Sequence, residues 1–165
     1  MKVSTKKYTS SVESMAKRTT KVEAKPFSIN PFVDLYNAFS LKCLLPFGGF
    51  DMASEVTKML SLRFSKEGDE FMALDADTAI AVPLGEVQYA SGNTVVTRHI
   101  NWKQSKEGLI QENSVNICFM AEVLHGYPEK KLADMKSDFK QCCVDLLNTE
   151  PELYFLNEAN LSITY

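Results

Sequence analysis

Apolar positions recur along this chain in three rhythms, and each rhythm predicts a different kind of element. From Ser10 to Lys17 polar and apolar residues alternate at helical spacing (Val12, Met15, Ala16), which predicts a short, weakly amphipathic helix followed by a polar link to Lys25-Pro26. Next, Phe32, Leu35, Tyr36, Phe39 and Cys43 follow the i, i+3, i+4, i+7, i+11 pattern of one buried helical face. Asn30 is a natural N-cap and Pro31 suits the first helical position, so this helix starts there and ends near Leu45-Pro46. The clearest helix runs from Glu129 to Asn148, entered at Pro128 and left before Glu150-Pro151, with Leu132, Met135, Phe139, Cys142 and Leu146 in a core stripe.

Between Met59 and Ile100 the rhythm shortens to the β-like runs LSLRF, EFMAL, EVQYA and TVVTRHI, with turn signals at Glu67-Gly68-Asp69, Leu84-Gly85 and Ser91-Gly92-Asn93. The last two runs predict a hairpin with a three-residue loop in which Gly92 takes the positive φ. Ser114 to Leu124 is β-rich and largely apolar, which predicts a buried strand. The tail LYFLNEANLSITY predicts two short strand pieces around Asn157-Glu158. The expectation is a single domain over residues 1–165 of mixed α/β class, a mixed sheet packed by helices, with no repeat and no evident linker.

Composition agrees with one domain: 165 residues at 45% hydrophobic content suffice for a core. No run of about 18 apolar residues occurs, and the basic, Ser/Thr-rich start is not followed by a signal-peptide apolar core. Glu13 and Glu23 count against a transit peptide, so the expected location is the cytoplasm, with no membrane partner. The net charge of -3 hides a split of +5 over residues 1–25 and -8 over the rest. The acidic body excludes a broad basic face, so DNA is not expected and any RNA contact is local. The basic start itself reads as a solvated terminus.

Cys43, Cys118, Cys142 and Cys143 lack CxxC spacing and sit in apolar stretches, which fits reduced core thiols and signals neither zinc nor disulfides. Walker, GxGxxG, GxSxG and HExxH patterns do not occur, so no cofactor and no metal is expected. Two histidines limit imidazole-based proton transfer to His99 and His125. His125, before Gly126, reads as a loop residue, which leaves His99 as the weak catalytic candidate. Strand alternation puts His99 and Asn101 on one side and Trp102 on the other. Asp75 and Asp77 could position water, and a turn explains them as well.

The densest punctuation lies in Ser28 to Asp51. Asn30, Asp34 and Asn37 share a helical face at i, i+4 and i+7, and Gly48-Gly49 follows Pro46. Spacing alone fits a solvated face with a cap, or two amides and a carboxylate reading the polar edge of an amino acid or ribose, with Asp34 pairing an ammonium. The glycines fit either a C-terminal turn or a place where substrate approaches backbone N–H groups.

Asn30-Pro31-x-Val33-Asp34-x-x-Asn37, continued by Pro46 and Phe50-Asp51, resembles the Asn-Pro-Val-Val-Asp to Gln-Pro-x-His-Ala-Phe-Asp segment of the B-three/B-four editing domain in the phenylalanyl-tRNA synthetase beta subunit. Free-standing members of that family are similar at Lys7 to Glu13, at Pro46-x-Gly48-Gly49, at Gly85 to Tyr89, and at Asn101 to Ser105 with Lys103 for arginine. The resemblance spans about Lys6 to Asn148 and implies a B-three/B-four-like fold with a long C-terminal helix. In the synthetase this domain hydrolyses phenylalanine tRNA wrongly charged with tyrosine. It therefore implies an editing-type domain acting in trans on the aminoacylated 3′ end of tRNA, an RNA-binding hydrolase of mischarged esters. Asn30, Asp34, Asn37, Gly48, Gly49, Asn101 and Gln104 would bind substrate.

Two positions depart from the pattern: Gly48 stands where the family has its editing histidine, and Thr78 falls on the glutamate of Leu-Asp-x-x-Glu if Leu74-Asp75 is the match. They favour the alternative, a non-catalytic binding or assembly module that kept the fold. Relatives also carry a strand and helix before the Lys-Tyr-x-Ser-Ser segment, whereas this chain starts almost on it. A truncated start or a covered apolar patch is then expected, which leaves a homo-oligomer open.

Overall fold

A computed structural model describes residues 10–20, 28–100 and 103–164. The link to Lys25-Pro26, the first residues of the Lys7 to Glu13 motif, and Asn101 and Trp102 lie outside the described residues. The chain divides into two compact units, Met1–Val123 and Leu124–Tyr165.

The first unit begins with α1 (Ser11–Thr19), capped by Ser10 Oγ accepting from Glu13 N at 3.2 Å, with Met15 buried. Helix α2 (Pro31–Cys43) starts as expected: Asn30 Oδ1 accepts from Val33 N at 2.9 Å and Pro31 opens the first turn. It ends two residues before Leu45, because Leu44 turns the chain with a left-handed φ of 55°. Its buried residues are Val33, Leu35, Phe39 and Ser40, so the apolar face is rotated from the expected stripe, and Phe32, Tyr36 and Cys43 are half-buried. Ser40 is drawn in because its hydroxyl accepts from Phe47 N at 3.0 Å.

Two sheets follow. Strand β1 (Phe47–Asp51) pairs antiparallel with β8 (Ile117–Ala121) as a two-stranded ribbon. The strands β2 (Ser61–Phe64), β3 (Glu70–Phe71), β4 (Ile80–Ala81), β5 (Val87–Ser91), β6 (Thr94–Arg98) and β7 (Lys103–Gln104) form the second sheet, in order β2-β5-β6-β3-β4. Strand β6 is central: its start runs parallel to β3 and its end antiparallel to β7. The run EFMAL supplies only a two-residue strand, and Leu74-Asp75 turns away from the sheet.

The β5–β6 hairpin closes through Gly92 and Asn93 alone, since Ser91 already pairs with Thr94. The expected three-residue loop is thus a two-residue turn with Gly92 at φ 56°. The extra residue sits inside the strand: the register steps between Tyr89↔Thr97 and Ala90↔Val95, leaving Val96 bulged. Val95 then packs with Phe71, Val82 and Ala90, while Val96 packs with Phe50 and Met52 on the other face. The six-stranded sheet therefore has apolar clusters on both sides. Strand β8 is half-buried along its length, not fully buried as its composition suggests.

In the second unit α3 (Glu129–Leu147) follows Pro128 and ends at Asn148, which adopts φ 51°. Met135, Phe139 and Cys143 are buried at i, i+4 and i+8. The stripe thus passes through Cys143, not Cys142, and Leu146 at its expected end is exposed. The tail forms no strand among the described residues: Asn157 and Asn160 make one isolated bridge, and Leu153 to Leu156 are exposed. No helix among the described residues is long and apolar enough to cross a membrane.

Candidate functional site

The β1–β8 ribbon has two unlike faces, because alternation sends successive residues to opposite sides. One face carries Phe47, Gly49 and Asp51 opposite Ala121, Phe119 and Ile117. Helix α2 covers it: the Phe39 and Phe47 rings lie 6.0 Å apart and the Tyr36 and Phe119 rings 6.4 Å apart. Gly49 is glycine for packing, since an added Cβ would lie 2.6 Å from Ile110 Cδ1 and 3.3 Å from Phe119 Cδ1.

Ile110 also joins this face to the helix start, its carbonyl accepting from Asn30 Nδ2 at 3.3 Å. Gln104 Nε2 donates to the Gly49 carbonyl at 3.1 Å. Asn30, Gly49 and Gln104 are therefore brought together around Ile110. Asn30 serves as cap and tether, and Asp34 Oδ1 accepts from Ile29 N at 3.0 Å, a second bond closing the helix start. Asn37 lies about one turn beyond Asp34 and is half-buried.

The opposite face carries Gly48 and Phe50, paired with Met120 and Cys118, and Glu122 stands opposite Pro46. Here Gly48 is open: an added Cβ would meet nothing within 4 Å. Tyr89 crosses from the other sheet, its ring 6.3 Å from that of Phe50 and its hydroxyl donating to Glu122 Oε1. Burial first, then the Glu122 charge and hydrogen bond, push the Tyr89 phenol well above its ordinary range. Burial likewise raises the Cys118 thiol.

Neither Tyr89 nor Glu122 is among the site residues read from sequence. The signal for Glu122 was present, as it is the one charge in the apolar run Ser114 to Leu124. A lone carboxylate at the end of a strand needs a partner when half-buried, and Tyr89 is that partner.

His99 sits apart from strand alternation, because β6 ends at Arg98 and His99 and Ile100 turn at φ 50° and 64°. Its Nε2 lies 3.3 Å from Glu86 Oε1, and the same buried carboxylate takes a two-pronged hydrogen bond from Arg98. His125 is exposed in a turn, and Asp75 and Asp77 also lie in turn structure. Thr78 is exposed beyond that turn. Among the described residues no group of three or more His, Cys, Asp or Glu could hold a metal ion.

A sequence model of the family described as B3/4 domain matches residues 1–141. Two curated relatives, the phenylalanine–tRNA ligase beta subunits of Haemophilus influenzae strains KW20 Rd and 86-028NP, are each 44% identical over 52 residues, which is 32% of this chain. The matched stretch covers 6% of the length of each of those relatives. No solved structure matches the chain at a significant level.

Proposed function

Because this chain belongs to the B3/4 domain family, we propose that it acts in trans on the aminoacylated 3′ end of tRNA, holding the aminoacyl ester at the unfilled Gly48 position of the β1–β8 ribbon. The observation that carries this reading is the pairing of an unfilled Gly48 with the Tyr89–Glu122 hydrogen bond on one strand face. An open glycine lets a ligand approach backbone closely, and a half-buried donor–acceptor pair beside it offers orientation. We place this activity in the cytoplasm, a compartment where tRNA is charged.

Hydrolysis in this site would rest on positioned water and the tRNA terminal ribose, since no imidazole projects from β1. Gly48 thus supports the second reading, a binding module without ester hydrolysis. Incubation with a panel of mischarged tRNAs separates the two: deacylation above buffer for at least one of them establishes the enzyme. Titration with uncharged tRNA and a non-hydrolysable aminoacyl-adenosine tests binding, and no binding of either overturns both readings.

A further inference from the structure

Along this face, Pro46, Gly48 and Phe50 stand opposite Glu122, Met120 and Cys118. Tyr89 has its ring near Phe50 and its hydroxyl at Glu122, so the phenol runs from one end of this row towards the other and passes the Gly48–Met120 pair. The space at Gly48 therefore has a fixed carboxylate at one end. Its surroundings on the ribbon are apolar: Met120 stands opposite Gly48 and packs, like Tyr89, against the cluster that holds Phe50.

The phenol keeps its proton through the neutral range, so it donates to Glu122 without cancelling the negative charge. A carboxylate offers about four acceptor positions, and Tyr89 occupies one of them. The chemical group that complements what remains is a cationic donor, because charge-assisted hydrogen bonds are about twice as strong as neutral ones. An ammonium supplies three N–H donors and the opposite charge.

We propose that Glu122, held by Tyr89, reads a free ammonium group, so that the gap at Gly48 takes apolar amino-acid derivatives with an unblocked amine and rejects their N-acylated forms. This rests on the Gly48 face being the ligand site and adds the group by which the ligand is recognised. Tyr89 is a positioning residue that fixes one carboxylate oxygen; Glu122 touches the ligand.

The test uses the full chain with phenylalaninamide, leucinamide and their N-acetyl forms, binding being followed by NMR titration. The free amides are expected to bind at least about tenfold more tightly than the N-acetyl forms, the scale of one charge-assisted hydrogen bond. Glu122→Gln should bring that ratio close to one, and Tyr89→Phe should weaken the free amides while keeping a preference for them. Should Glu122→Gln fail to fold, the ratio in the unaltered chain still decides. Equal binding of free and blocked forms, or binding of neither, overturns the proposal. An aminoacyl-adenosine that binds when the simple amides do not overturns ammonium reading alone. Amides that bind with the expected preference when no nucleoside ligand does uphold it and overturn the tRNA reading.

Discussion

Gln104 Nε2 lies 3.1 Å from the carbonyl oxygen of Gly49, so a side chain of the six-stranded sheet is hydrogen-bonded directly to the backbone of the β1–β8 ribbon. The bond ties together two sheets that share no strand. Gln104→Ala leaves a half-buried carbonyl without that donor and should lower stability by about 1 kcal/mol, measured by denaturant unfolding. Aminoacyl-adenosine affinity should fall as well if the tie sets the height of Gly48. Lost stability with unchanged affinity assigns Gln104 to the scaffold.

Adjacent glycines should respond oppositely to the same substitution. At Gly49 a methyl meets Ile110 at 2.6 Å and Phe119 at 3.3 Å, so Gly49→Ala should destabilise by about 1–3 kcal/mol, with some relief from movement of the Ile110 side chain. At Gly48 nothing lies within 4 Å, and Gly48→Ala should stay within about 0.5 kcal/mol of the parent while reducing ligand affinity. Parallel thermal melts and titrations read both effects, and a larger stability loss at Gly48 would sink the description of that position as unfilled.

The Glu86–Arg98 pair is buried at both ends, and Glu86 has His99 beside it. Glu86→Gln would leave the Arg98 guanidinium buried opposite a neutral amide, an expected loss of about 3–5 kcal/mol. The double change Glu86→Gln with Arg98→Met should recover part of that loss, and a double-mutant cycle from urea unfolding measures how much.

Several elements were legible because their information is local. Asn30-Pro31 announced the start of α2, and Ser-Gly-Asn announced a hairpin, since caps and positive-φ turns are specified by adjacent residues. The Val96 bulge was not legible, because a run such as TVVTRHI reads as continuous strand until its partner fixes the register. The contact between Tyr89 and Glu122 joins β5 to the residue just after β8, in different sheets, and nothing in the spacing of either segment points to the other. The roles of the two glycines were hidden for the same reason: Ile110, which fills the space at Gly49, arrives from a distant loop. Asn30, by contrast, was visible as a cap and then proved to hold Ile110 too.

Acid should act on this fold through Asp69. Its side chain is fully buried, and hydrogen bonds from Arg63 foremost, with the Lys66 backbone and Gln88, hold its carboxyl below the ordinary range against the opposing effect of burial. A depressed folded-state pKa contributes stability that is present above the unfolded value of about 3.9 and is lost as pH falls through the folded value. Asp69→Asn should therefore be less stable than the parent at neutral pH, with the gap narrowing below about pH 4. Urea midpoints across that range check the sign; a gap that widens in acid would contradict it.

Strands β1 and β8 enclose all of the second sheet between them in sequence, so the ribbon is closed by the last strand of its unit. During synthesis Phe47 to Asp51 must wait, with its backbone edge unpaired, until Ala121 has emerged. Such long-range pairing is slow to form, and a chain cut between β7 and β8 would hold most of its strands yet lack Met120 and Glu122. Assembly of the face around Gly48 is thus a late event in the synthesis of this unit.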